Sequence, residues 1–421
     1  MGDADFVTRA PPVPSTRSGT FQVCHRSGMR RPALAALASA AALALTTIAL
    51  APSAGAAPST GSSHRTVHVC GPAAAGSASC DAIRNDKVDG NGRVQPNATP
   101  PGYGPGDIRG AYNLTTDSTA TVAIVDAYDD PNAETDLGVY RGQYGLPACT
   151  TSNGCFRKVG QSATAKLPRA NGGWAQEISL DLDMVSSACP GCHILLVEAS
   201  SSSFSNLGAA VNYAATVPGV VAISNSYGGS DSTGYASYYN HPGIAVTAST
   251  GDSGYGAQSP ATFPGVVAVG GTSLKRDSSS RGWTESAWSG AGSGCSTLNA
   301  KPGWQSGTSC SGKADADVSA VADPNTGVAV YDSYAYQGAS GWMVFGGTSA
   351  SSPIIASVYA LAGNINSTNP SAGAWTWGHK SGLNDVTSGS NGTCSTSVWC
   401  HAGTGWDGPT GLGTPNGTSA F

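Results

Sequence analysis

The chain has 421 residues, only 11% of them charged, and a formal net charge of −5. An average globular domain carries about 25% charged residues, so glycine, serine, threonine and alanine take over much of this surface. The negative balance and the lack of a basic cluster argue against nucleic acid as a partner, and sparse charge limits self-repulsion in acid. Met29-Arg30-Arg31, the apolar run from Ala33 to Leu50 and the small residues Ala54-Gly55-Ala56 have the form of a secretory signal peptide. Cleavage is expected after Ala56, with Met29 as the candidate initiator. The run is almost long enough to span a bilayer, but the processing site favours removal. A secreted monomer, free of the membrane once the signal is removed, is therefore expected. Residues 57–100 are rich in Ala, Gly, Ser, Asn and Pro and read as a loose, propeptide-like or linker segment.

From Pro101 to the C-terminus the pattern is that of one large domain. Short apolar runs recur at Thr121 to Val125, Ile194 to Val197, Val220 to Ile223, Ile244 to Val246 and Val266 to Val269. Helical stretches lie between them, notably Glu177 to Ser187 and Asn206 to Ala215. Buried strands alternating with helices indicate an α/β fold with a mainly parallel sheet covered on both faces.

Eleven cysteines are present, and Cys24 falls in the leader. The other ten form sequence-near couples, which in an exported chain predicts the disulfides 70–80, 149–155, 189–192, 295–310 and 394–400. Zinc and thioredoxin-like readings of Cys189-Pro-Gly-Cys192 lack a second ligand pair and the matching fold pattern.

Five places carry candidate chemistry. Phe345-Gly-Gly-Thr-Ser-Ala-Ser-Ser-Pro353 sets Ser349 before an apolar segment, Ile354 to Leu361, and so at a helix start, where unpaired N–H groups favour developing negative charge. Pro353 is expected in the first turn. Glu177 and Asp181 stand four apart on one helix face. If buried together they can share a proton, leaving one carboxylate to act as base; an ordinary acidic helix face has the same spacing. Asp183 is expected on a different, solvated face. Asp252, within Thr250-Gly-Asp-Ser-Gly254, lies just beyond a strand end; it suits an Asx turn or, if protonated, donation to an oxyanion. Ser226, Tyr227 and Gly228 follow another strand, where backbone could pair with an extended peptide and Tyr227 wall a pocket. In the tail, Asn384-Asp-Val386 and Gly403-Thr-Gly-Trp-Asp407 offer two carboxylates and backbone carbonyls, an oxygen set suited to calcium.

Together these motifs resemble the sedolisin family of serine-carboxyl peptidases, from about Tyr103 to the C-terminus. The resemblance rests on Glu177-x-x-x-Asp181, Thr250-Gly-Asp-Ser-Gly254, Gly347-Thr-Ser-Ala-x-x-Pro353 and Asp385-Val386 with Gly403-x-Gly-Trp-Asp407. It implies a subtilisin-like three-layer α/β/α fold with a seven-stranded, mainly parallel sheet. It further implies Ser349 as nucleophile, Glu177 as general base, Asp181 as its orienting partner and Asp252 as oxyanion donor. Calcium would be held by Asp385, Asp407 and the carbonyls of Val386, Gly403 and Gly405. The expected activity is endopeptidase cleavage of proteins or peptides, fastest at roughly pH 3–5 given carboxyl pKa values near 4. Tripeptidyl release and an inactive peptide-binding domain stay open. A subtilisin-type triad has Asp126 and Ser349 available, but none of the seven histidines stands in a His-Gly-Thr-His motif; Asp126 reads as a structural or pocket acid. One departure is the short stretch of about 45 residues between the expected cleavage and the domain, where the family usually has a large folded propeptide.

Overall fold

The computed structural model describes residues 63–421; the leader expected over residues 1–56 lies outside them. In chain order, β1 (Ser63–His68), β2 (Ser79–Cys80) and β3 (Ile83–Val88) precede α1 (Pro105–Ala111). There follow β4 (Thr121–Ala127), α2 (Ala133–Gln143), β5 (Phe156–Gly160), α3 (Gly172–Ala188), β6 (His193–Ala199), α4 (Phe204–Thr216) and β7 (Val220–Asn225). The next strands are β8 (Tyr227–Ser230), β9 (Ala245–Ser249), β10 (Gln258–Ser259), β11 (Val267–Arg276) and β12 (Trp283–Ala287). Beyond them come β13 (Gly294–Ala300), β14 (Gly312–Asp315), β15 (Val318–Val321), β16 (Val328–Tyr336), β17 (Ala339–Gly346) and α5 (Thr348–Ala362).

The main sheet has eight strands, in the order β12-β11-β9-β7-β4-β6-β5, with β15 also pairing with β11. Seven are parallel and β12 is an antiparallel edge. The parallel core is thus the seven strands expected, and the eighth caps the end where β11 runs on past β9. Val122 to Ala127 are all buried, which a strand achieves only when both faces of its sheet are covered. α3 and α5 pack on each other and on the sheet, while α4 packs on β4, β6 and β7.

All five expected disulfides form. The reading of residues 57–100 as loose is corrected from Ser63 onward. β1 pairs with β3, and β3 joins β17 and β16 in a second, antiparallel sheet. Its polar composition misled because the segment is anchored by buried ion pairing rather than apolar periodicity: Arg84 donates to Asp86 at 2.5 Å and to Gln176 Oε1 at 2.6 Å, all within the interior.

α3 is the helix that positions the chemistry. Asn171 caps it, its side chain accepting the N–H groups of Gly173 and Trp174 at 3.1 and 3.2 Å. Every residue from Gly173 to Ala188 is buried, as befits a helix enclosed on all sides. Asp183 is therefore not solvated. It accepts the Tyr331 N–H at 2.9 Å, and burial pushes its pKa well above the usual carboxyl range.

Candidate active site

The motif expected to carry the nucleophile opens α5. Gly347, the N-cap, has φ +95, a conformation that favours glycine, and a Cβ there would collide with the Asp81 carbonyl and with Asp252 Oδ2. Ser349 follows one residue into the helix. Its Oγ donates to Glu177 Oε2 at 2.8 Å and lies 3.1 Å from the Ser226 carbonyl. Pro353 is the sixth residue of α5, not part of its first turn. Having no N–H, it leaves the Ser349 carbonyl unclaimed four residues back, and Ser226 Oγ lies 3.3 Å from that oxygen.

Glu177 and Asp181 are fully buried, one turn apart on α3. Asp181 Oδ1 accepts from Ser226 Oγ at 2.8 Å. Asp126, at the end of β4, adds a third carboxyl; both its oxygens are buried without a hydrogen-bond partner. Burial drives all three pKa values well upward. Asp181 and then Asp126 raise Glu177 further, and Asp181 raises Asp126. Such a cluster holds protons in acid and can lend Ser349 one proton-accepting site.

Asp252 approaches from the loop after β9. Its Oδ1 accepts the Thr348 N–H at 2.7 Å and Oγ1 at 2.9 Å, while Oδ2 is buried without a partner. Burial, and then the Asp81 carboxyl, hold its pKa well above normal. A neutral Asp252 has one hydrogen to give, and Oδ2 is the oxygen free to carry it.

Ser226, Tyr227 and Gly228 follow directly on β7, with Tyr227 and Gly228 opening β8. Ser226 touches Asp181 and Ser349 as described. Tyr227 is fully buried, its hydroxyl donating to Asn225 Oδ1 at 2.8 Å. The backbone of Tyr227 and Gly228 pairs with Cys80 and Ser79 of the same chain.

In the tail, Asp385 Oδ2 accepts the Gly405 N–H at 2.9 Å. Asp407 Oδ2 accepts the Gly403 N–H at 3.1 Å, and its Oδ1 accepts from Thr410 N and Oγ1 at 2.9 and 2.8 Å. Burial, with Asp385 contributing, pushes Asp407 up to about 7. Among the described residues neither carboxylate has a cationic side-chain partner. Two neighbouring carboxylates in a carbonyl-rich turn, with no charge to balance them, fit a hard divalent cation.

No family model matches the sequence. The chain is 29% identical over 368 residues to kumamolisin of Bacillus sp. strain MN-32, covering 76% of this chain and 63% of that protein. It is 33% identical over 177 residues to sedolisin of Pseudomonas sp. strain 101, covering 38% of this chain and 29% of that one. It thus spans less than two thirds of the length of these relatives. The crystal structure of Pseudomonas sedolisin, a serine-carboxyl proteinase complexed with pseudo-iodotyrostatin, superposes with a TM-score of 0.63 at 24% identity, over 76% of this chain and 96% of that one. The chain is similar in sequence to kumamolisin and sedolisin, and in fold to sedolisin. Its subtilisin-like fold matches the layered sheet described above.

Three motifs far apart in sequence meet: Ser349 bonds Glu177 of the Glu177–Asp181 pair, and its neighbour Thr348 bonds Asp252. Asp126 acts electrostatically on the same carboxyl pair. Nothing local to Asp81 signals its position beside Ser349 and Asp252.

Proposed function

We propose that the protein is a secreted, acid-active serine-carboxyl endopeptidase that cleaves protein or peptide substrates through an acyl-enzyme on Ser349. The observation that carries this reading is the 2.8 Å hydrogen bond from Ser349 Oγ to buried Glu177, opposite a carboxyl, Asp252, whose outer oxygen is free. Ser349 Oγ attacks the substrate carbonyl carbon while its proton passes to Glu177. Asp181 shares its proton with Glu177 and keeps it aimed at the serine, the part that a buried aspartate plays for histidine in the familiar triad. The oxyanion is stabilised by the Ser349 N–H and protonated Asp252. Glu177 returns its proton to the leaving amine, and water then releases the acyl group.

The pH dependence follows from these roles. Activity falls in strong acid as the carboxyl pair takes its second proton, and falls toward neutrality as Asp252 ionises. Ordinary carboxyl values near 4 give a maximum at roughly pH 3–5, and burial raises both groups and so moves both limbs upward. Ser349→Ala should abolish casein or haemoglobin digestion at about pH 4 while leaving folding intact; a mutant that digests as fast as its parent would sink the mechanism.

Calcium fits the tail loop, with Asp385, Asp407 and the carbonyls of Val386, Gly403 and Gly405 as its holders. When bound it would supply charge neutralisation and tie two loops together, with no part in the chemistry. Chelation should lower the melting temperature by a few degrees, on the order of 1–2 kcal/mol for a domain of this size. An unchanged melting curve under chelator would remove the metal.

A further inference from the structure

Ser226 stands between β7 and β8, fully buried, and touches both helices of the site. Its carbonyl lies 3.1 Å from Ser349 Oγ. Its hydroxyl has a single hydrogen to give and faces two acceptors, Asp181 Oδ1 at 2.8 Å and the Ser349 carbonyl at 3.3 Å. The second acceptor is open because Pro353 has no N–H to claim that carbonyl from within α5. In the acyl-enzyme mechanism the hydroxyl touches no reacting atom.

Each carboxyl of the α3 pair has one oxygen engaged and one free. Glu177 Oε2 takes the Ser349 hydroxyl and Asp181 Oδ1 takes the Ser226 hydroxyl, while Glu177 Oε1 and Asp181 Oδ2 are buried without a partner. A single shared proton therefore belongs on these free oxygens. Further carboxyls crowd the pair. Asp126 from the end of β4 raises Glu177, as does Asp81 from the segment ahead of β3. Tyr227 of β8 is within range of Asp126 and Asp181 and stays neutral throughout the acid range. Among the described residues no cationic side chain pairs with Asp81, Asp126, Glu177 or Asp181. Burial raises Asp181, and the Ser226 hydroxyl opposes it, since a hydrogen bond to the charged form of a carboxyl favours that form.

We propose that Ser226 is a positioning residue for the peptidase reaction: its hydroxyl holds the Glu177–Asp181 pair at one proton in acid, and turns to the Ser349 carbonyl when a second proton arrives. The inference rests on the peptidase reading above. With one proton the pair carries a negative charge, and Glu177 Oε2 can take the Ser349 proton as Oγ bonds to the substrate carbonyl carbon. The pair then holds two protons and gives one to the leaving amine. Where acid has already added the second proton, the serine's own has nowhere to go and the attack stalls. A donor at Asp181 Oδ1 stabilises the one-proton pair more than the two-proton pair, so it moves the acid limit of activity downward. The open Ser349 carbonyl keeps the hydroxyl paired in either state, which spares the interior an unsatisfied donor. Asp252, whose hydrogen bonds are to Thr348, sets the neutral limit separately.

The test records initial rates at saturating casein from about pH 2 to pH 7 for the parent, Ser226→Ala, Ser226→Cys and Ser352→Ala, with Ser349→Ala as the blank. Ser226→Ala should move the acid limb upward by about one pH unit, the order of one hydrogen bond to a charged group, and leave the neutral limb in place. Ser226→Cys keeps a weaker donor of nearly the same size and should fall between the two; it carries the test if the alanine variant fails to fold. Ser352→Ala removes another buried hydroxyl, one that lies 3.0 Å from both Ser224 Oγ and Thr247 Oγ1, and should move neither limb. An acid limb unmoved in Ser226→Ala or Ser226→Cys overturns the inference and leaves the peptidase standing. So does an equal shift in Ser352→Ala, which would mark a general loosening, or loss of activity at every pH in a folded Ser226 variant. A parent that digests no faster than Ser349→Ala at any pH removes both readings together.

Discussion

Two buried serine–carboxyl clusters lie along α3, and only one has the makings of a catalytic site. At the first, Ser349 donates to Glu177 at 2.8 Å, beside Asp181 and Asp126. At the second, Ser179 donates to Asp130 at 3.4 Å, beside Asp136 and Asp332. Both sets of carboxyls are buried, and burial raises both: Asp130 to about 7 and Asp332 to about 8. Raised carboxyls next to a serine do not distinguish them. The difference is the backbone. Ser179 sits mid-helix, where its N–H serves the helix itself, whereas Ser349 opens α5 and turns its N–H outward, to the Asp81 carbonyl. A second acid, Asp252, faces the same spot with an unpartnered oxygen. The pairing of base and nucleophile is thus necessary but common; donors arranged for an oxyanion are what set the first cluster apart.

Substitutions can break or sharpen this contrast. Glu177→Gln removes the base while preserving shape, and its cost should be the greatest of the three, about 10⁴–10⁶ in kcat by analogy with triad members. Residual activity close to the parent's would mean that another carboxyl takes the proton. Asp252→Ala removes one oxyanion donor and should cost about 10²–10³ in kcat with KM little altered. A loss confined to KM would reassign it to substrate binding.

Asp332→Asn, in the second cluster, should leave kcat within about twofold and act on stability alone. Asp332 holds its proton up to about pH 8 when folded, whereas the unfolded chain releases it near pH 4. Its contribution is therefore full below pH 4 and is lost as the pH climbs toward 8. The parent's melting temperature should fall across that interval. In Asp332→Asn the fall should be shallower by a few degrees, on the order of 1–2 kcal/mol. Melting curves at several pH values check this, and an unchanged slope would show that the second cluster does not control acid stability.

Much of the architecture could be read from local pattern. β-branched apolar runs mark β4, β6 and β7 because a strand buried on both faces needs apolar residues at consecutive positions. The five disulfides join cysteines no more than 15 residues apart, close enough for spacing to pair them. Asp183 was misjudged because a helical wheel says which residues share a face, not whether that face meets water; α3 happens to be enclosed all round. Residues 63–100 were misjudged because their order comes from partners in the distant β8, β17 and α3, including Gln176 92 positions from Arg84.

The sequence by itself determined the serine at a helix start, the two carboxyls one turn apart and the acid between glycines, because each is a feature of a few neighbouring residues. Only the tertiary structure decided that Glu177 reaches Ser349 across 172 positions and that Asp126 joins the pair. It also decided that Asp81, 168 positions from Ser249, returns beside Ser349. Local pattern specifies backbone conformation and side-chain phase. Which distant segment comes to lie in a groove depends on how the layers pack, and no short window of residues records it.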